Sequence, residues 1–208
     1  KDLIKAANFD GAIEQLNKAI EVAESYGNAD AAEDAKTLVP QVLMSKAGDM
    51  LNAKNFAGAA ETYQQVVAAD TTNGMAALRL GMAYGATGNT EAAEAAYLVA
   101  AQNGQEKNAV KLLSRLYLSR CQEALKLKKN QEALDFAKKA NEYKENANAY
   151  KLGASAARVL NKVSECEEMY LKYLELKPNA SDASDIKVTL AETYRKAGNK
   201  AKAREYFQ

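Results

Sequence analysis

The 208-residue chain has no histidine and no tryptophan, and only two prolines and two cysteines. Without histidine the usual general base, the Ser–His and Cys–His nucleophile pairs and the commonest zinc ligand are all missing, which removes most familiar hydrolases. With only Pro40 and Pro178 to interrupt it, and few β-branched runs, the chain offers almost nothing that reads as a strand. The expected class is all-α. No run approaches the roughly 20 apolar residues that cross a bilayer, so no membrane span is expected. Nor is there an excess of charge of one sign: the net charge is +1, which argues against a dedicated nucleic-acid binder.

What is abundant is alanine, the best helix former and a small residue that lets helices approach closely. Mean hydropathy is −0.42 although 48% of the residues are apolar. Charge is unevenly spread. Residues 1–106 carry 7 basic and 14 acidic side chains, residues 107–144 carry 10 and 4, and residues 145–208 carry 11 and 9. This change of sign would favour an acidic partner over the middle of the chain, or weak self-association head to tail; solvated helix faces account for it more simply. The chain opens at Lys1 inside a repeat with no initiator methionine and no signal peptide. Upstream sequence is therefore expected, and both a cytoplasmic and an exported location stay open.

Self-similarity organises the rest. Between Gly74 and Gln105 the chain reads Ala77-x2-Leu80-Gly81-x2-Tyr84, then Gly88-Asn89-Thr90, then Ala93-x3-Tyr97-x2-Ala100. Positions 77, 80, 81 and 84 form one stripe of a helix, and 93, 97 and 100 form one on a second helix. Gly81 and Ala93 let the two backbones close together, with Tyr84 and Tyr97 filling the space beside them. On this reading truncating Tyr84 to alanine would cost about 3–5 kcal/mol. A helix pair of this kind buries its apolar face only by stacking on neighbours.

This pattern resembles the tetratricopeptide repeat, with Ala77 in place of the leading tryptophan. The resemblance extends over the chain. Asn55 to Glu61 stands 34 residues before the corresponding segment at Ala93, and Asn8 to Glu14 stands 47 residues earlier again. The thirteen extra residues around Gly27 to Val39 are expected to lengthen a helix or form a loop, with Pro40 suited to a helix start. Ala133, Ala137 and Ala140 mark a fourth copy, its first helix lengthened near Asn108 to Leu113. Cys166, Tyr170, Tyr173 and Pro178 mark a fifth, and Leu190 to Phe207 a sixth, with a further insertion before it. The expectation is a single domain over residues 1–208: an α-α superhelix, a solenoid of about six helix pairs with the first and last incomplete.

Other candidate chemistry reads as structure. Cys121 and Cys166 occupy small-residue slots, where a thiol packs as a modest hydrophobe. The acidic groups Asp30, Glu33, Asp34 and Glu165, Glu167, Glu168 lack calcium-loop spacing. Gly81, Gly85 and Gly88 follow a helix rather than a strand and lack the Lys-Ser or Lys-Thr of a phosphate loop. Asn179-Ala180-Ser181 is a sequon that matters only in a glycosylating compartment. No catalytic residue, metal site or cofactor is assigned, and the chain is not read as an enzyme.

The resemblance implies a function in protein contact, with the first helix of each pair lining a concave groove for a peptide or helix. Carried onto this chain, that groove takes Met44, Ser45 and Gly48, then Met75, Leu78, Arg79 and Met82, then Ser119 and Gln122, then Tyr150 and Lys151. The carboxylate clamp of some family members is not matched, because Met44, Gly48 and Met75 stand where its polar members would be. A protein or peptide partner is therefore expected in a Met- and Leu-rich groove. The alternative is a structural or assembly subunit that meets its partners through edges and ends.

Overall fold

Seven times along the chain a residue with positive φ is followed at once by the N-cap of a helix. The pairs are Ala7–Asn8, Gly27–Asn28, Lys54–Asn55, Gly88–Asn89, Lys128–Lys129, Asn161–Lys162 and Gly198–Asn199. In the last six of these the left-handed residue ends one helix, and the next amide reaches back to a carbonyl of its last turn. Asn89 N donates to Tyr84 O at 3.0 Å, Lys129 N to Ala124 O at 2.8 Å, and Asn199 N to Tyr194 O at 2.9 Å. This is the Schellman closure, with the following helix starting on the same residue. In five of the seven an asparagine side chain then accepts from the amide three residues on, as Asn55 does from Gly58 at 3.2 Å. One local rule thus reverses the chain repeatedly.

The computed structural model describes residues 7–207. Its helices are α1 (Phe9–Ser25), α2 (Ala29–Asn52), α3 (Phe56–Ala69), α4 (Gly74–Ala86), α5 (Thr90–Ala100), α6 (Glu106–Lys126), α7 (Asn130–Tyr143), α8 (Ala147–Val159), α9 (Val163–Leu176), α10 (Ala183–Lys196) and α11 (Lys200–Tyr206). They fall into two compact units, residues 1–109 and 110–208. Within each unit helices pack chiefly on their sequence neighbours, as in stacked helix pairs. The partner helix expected before α1 lies outside the described residues.

The extra residues before the second copy went into a helix rather than a loop. α2 spans 24 residues and is capped by Asn28. Pro40 does not start it, contrary to expectation; the proline sits in its interior. The extra residues of the fourth copy likewise lengthen α6 to 21 residues. Ahead of α6 the helical path breaks at Asn103 (φ −114°, ψ 48°) and Gly104 (φ 80°), and the Asn103 side chain donates to Val99 O at 2.8 Å.

The central cluster of the first unit is built from small residues around one phenol. Ala47, Ala59, Ala60, Leu80, Ala83 and Ala96 enclose Tyr63, which has no exposed surface. Gly81 is required at its position: a Cβ there would lie 2.5 Å from the Tyr97 ring. Gly74 meets a harder limit, because its Cβ would lie 2.0 Å from the backbone carbonyl oxygen of Asn103. Tyr84 corrects the sequence reading. It is half-buried at the edge of this cluster, its hydroxyl 3.4 Å from Gln64 Oε1, so its truncation falls below the full-burial range, at about 1–2 kcal/mol.

The second unit buries Cys121, Leu134, Ala137, Ala154, Ala157, Cys166 and Leu190 in one cluster, with Tyr117 in a smaller one against Ala140 and Ala149. Polar ties supplement it. Ser114 Oγ donates to Lys144 O at 3.0 Å. The Glu167 carboxylate accepts from Tyr194 and Tyr206, each at 2.5 Å, and from Lys202 at 2.5 and 2.7 Å. α9, α10 and α11 are thereby joined at a single carboxylate.

Candidate functional site

On α4, Met75, Arg79 and Met82 follow at i, i+4 and i+7, which places them on one face. Met75 and Met82 are 40% and 41% exposed. Between them the Arg79 guanidinium donates through Nη1 to Tyr63 Oη at 3.4 Å. It lies over α2 at Gly48, where a Cβ would come within 3.4 Å of Nη1. Met44, on the same side of α2, is half-buried and packs partly on the core. Ser45 is exposed, its hydroxyl turned back to Gln41 O at 3.1 Å. Among the described residues no carboxylate lies within ion-pair distance of Arg79. Leu78, three residues from Met75 and four from Met82, lies at the edge of this side away from Arg79, where the core covers it: it is 7% exposed.

In the second unit the expected residues stand in different surroundings. The Lys151 ammonium pairs with Asp182 Oδ2 at 2.5 Å and lies 5.5 Å from the Tyr173 ring, while Tyr173 Oη donates to Asp182 Oδ1 at 2.8 Å. The Lys151 hydrogen bond, followed by that of Tyr173, holds the Asp182 carboxyl below its ordinary range. Lys151 thus ties α8 to the start of α10 and has little left for a ligand. Tyr150 donates to Glu145 Oε1 at 3.3 Å and lines a cleft of about 480 Å³ with Asn141, Glu142, Glu168 and Met169. Ser119 and Gln122 are exposed on α6.

Sequence reading missed their neighbours. Lys111, Arg115 and Lys126 share the exposed face of α6 with Ser119 and Gln122, in steps of four, four, three and four. Ser119 and Gln122 came from the resemblance to the repeat, and helical periodicity extended from them would have found these neighbours.

Neither cysteine is placed for chemistry. Cys121 and Cys166 are fully buried, and burial pushes both thiols up to about 11, so neither supplies a thiolate near neutral pH. Glu167 is a structural node. Burial alone would raise its pKa, but hydrogen bonds from Lys202, Tyr194 and Tyr206 outweigh burial and hold it below the ordinary range. Its carboxylate is saturated by this chain's own groups. Among the described residues no group of histidine, cysteine or carboxylate side chains could hold a metal ion, and no helix is long and apolar enough to cross a membrane.

Helix pairs with no strand among the described residues, reversed by one recurring turn and stacked on their sequence neighbours, define the class of all-α repeat proteins of the solenoid type. Residues 76–102, the segment from α4 through α5, match the tetratricopeptide repeat. Over that segment the chain carries a tetratricopeptide repeat. Its fold is similar to that of a crystallised MamA protein, at 19% identity over 82% of this chain and 89% of that one, with a TM-score of 0.51. The MamA of AMB-1 is similar at 21% identity, the same shares and the same TM-score. No protein of curated function matches the chain by sequence.

Proposed function

We propose that this protein is a non-enzymatic interaction scaffold whose binding faces are the exposed sides of the first helices of its pairs. In the first unit the face formed by Met75, Arg79 and Met82, bordered by Met44, takes an amphipathic helix of a partner protein. The carrying observation is Arg79: a partly covered guanidinium with one long hydrogen bond and, among the described residues, no carboxylate partner, set between two exposed methionines. Thioethers adapt to varied apolar side chains, while the guanidinium fixes orientation by receiving a carboxylate or helix carbonyls from the ligand. The repeat class supports the reading, since its stacked pairs offer extended contact surface. Residues 1–208 are taken as one folding domain, for which a single unfolding transition by circular dichroism and by tyrosine fluorescence is expected.

The test is capture of a native partner followed by calorimetric titration against Arg79→Glu/Met82→Glu. Both positions are exposed or half-exposed, so helicity and melting should stay unchanged while affinity falls by about 100-fold, as loss of a central charged anchor does. Unaltered affinity in a folded double variant would transfer the role to edges and ends, as in an assembly subunit.

A further inference from the structure

We infer that the exposed face of α6 is a docking strip for an acidic segment of a partner protein. The inference rests on the reading that first helices carry the binding faces, and it names the ligand class for the second unit. Lys111, Arg115, Ser119, Gln122 and Lys126 fall within an arc of about 80° at about 100° per residue, along about 22 Å of helix. All five are exposed. The buried positions Leu113, Tyr117, Cys121 and Ala124 hold the opposite side. The two carboxylates of this helix, Glu106 and Glu123, lie outside the arc.

A solvated cationic face is the ordinary alternative, and alignment argues against it: three exposed cations and no carboxylate share one arc of the helix. Elsewhere in this unit Lys129, Lys138, Lys151, Lys162, Lys172 and Lys202 each have a carboxylate within 4 Å, while among the described residues Lys187 and Lys196, for example, have none. Among the described residues Lys111, Arg115 and Lys126 have none. Residues 110–208 carry 20 basic and 13 acidic side chains, a net charge of +7, so the surrounding field also draws an anion in.

The spacing selects carboxylates over phosphates. Three cations in about 22 Å are far sparser than the phosphates of a duplex, which carries one charge per about 1.7 Å. No aromatic side chain stands on the strip to stack a base, and no apolar group stands there to enter a lipid interface. Arg115 offers the planar fork that a carboxylate accepts in bidentate fashion, while Ser119 and Gln122 supply uncharged hydrogen-bonding groups between the cations. An extended acidic segment of about seven residues, or a helix of about four turns, spans the strip.

A fluorescein-labelled decamer of glutamate, titrated by anisotropy into the full chain at low salt, is the direct probe. Binding should weaken as salt rises. Lys111→Glu/Arg115→Glu should lose about tenfold or more in affinity, while Lys187→Glu/Lys196→Glu, the same charge change placed off the strip, should lose less than about twofold. Should the reversal variant fail to fold by circular dichroism, Lys111→Gln/Arg115→Gln replaces it with the same expectation. Equal losses in strip and control variants, or no binding of the decamer, would overturn the inference. So would tighter, strip-dependent binding of a twelve-nucleotide single strand of DNA or of phosphatidylserine vesicles. The decamer needs only α6, so its failure alongside Arg79-dependent partner binding sinks the strip alone, and the reverse result sinks the α4 face alone.

Discussion

The two units solve the same repeat with different physics. Residues 1–109 carry 8 basic and 14 acidic side chains, net −6, against +7 for residues 110–208. Inside, the first unit relies on close approach: alanines surround Tyr63, Gly81 receives the Tyr97 ring, and Gly74 abuts a backbone carbonyl. The second unit adds polar fastening, with the Glu167 node and the Lys151–Asp182–Tyr173 tie. Small-residue packing is sensitive to volume and indifferent to pH and salt. A carboxylate node reverses those sensitivities. The repeat thus specifies spacing and turn, and leaves the means of cohesion free.

The largest effect should come from breaking the first unit at its centre. Tyr63 is fully enclosed, so Tyr63→Ala removes a whole buried ring at a cost of about 3–5 kcal/mol, read in urea titrations. The loss should be equal at pH 7 and pH 4. A pH-dependent loss would show that the first unit also leans on titrating groups, and the contrast between the units would fail.

The second unit should respond to charge instead. Glu167→Gln keeps the shape but removes the charge that Lys202 and two phenols share, at a cost of about 1–3 kcal/mol in the same titrations. The sign of the pH effect follows from the depressed pKa of Glu167. Stability from this group is complete above the unfolded-state glutamate value and is lost as pH falls through the lower folded value. Wild type should therefore lose stability below about pH 4.5, and Glu167→Gln should remove that part of the acid sensitivity. An acid limb identical in both proteins would show that the node carries no net energy.

Why Glu167 was invisible in the sequence while Gly81 was not is a matter of range. Gly81 and Tyr97 belong to one helix pair and obey its local spacing, so the stripe pattern put both on the facing sides of that pair, although it matched Gly81 with Ala93 rather than with the ring. Glu167 gathers Tyr194, Lys202 and Tyr206 across 27 to 39 residues, where no period links one carboxylate to its donors. The same limit explains Tyr84. Its stripe was legible, but its depth depends on how far α3 extends beside it. Pro40 misled for a local reason, because a proline tolerated in a helix interior reads in sequence like one at a helix start. Of the candidate faces, Met75, Arg79 and Met82 came from the resemblance to the repeat. Leu78 was not separable from them without the core, and the three cations of α6 lay unread on a face already selected.

The smallest expected effect tests whether the units differ by need or by accident of residue choice. In the first unit α1 to α5 each begin on an asparagine whose side chain accepts from an amide in the first turn. In the second, α7 and α9 begin on Lys129 and Lys162, with no side-chain cap. Yet the backbone is already shaped for one: φ −85°, ψ 68° at Lys129 against φ −80°, ψ 71° at the capping Asn55. Lys129 also places a cation beside the positive end of the α7 dipole. What it holds in return is a pair with Glu132 at 3.1 Å, about half exposed on both sides, and such pairs contribute little. Lys129→Asn and Lys162→Asn should each therefore stabilise the protein by about 0.5–1 kcal/mol. The gain should appear in urea at pH 7 and persist in high salt, since a neutral amide cap is not screened. A gain that vanishes with salt would mean that removal of the lysine charge, rather than the cap, was responsible.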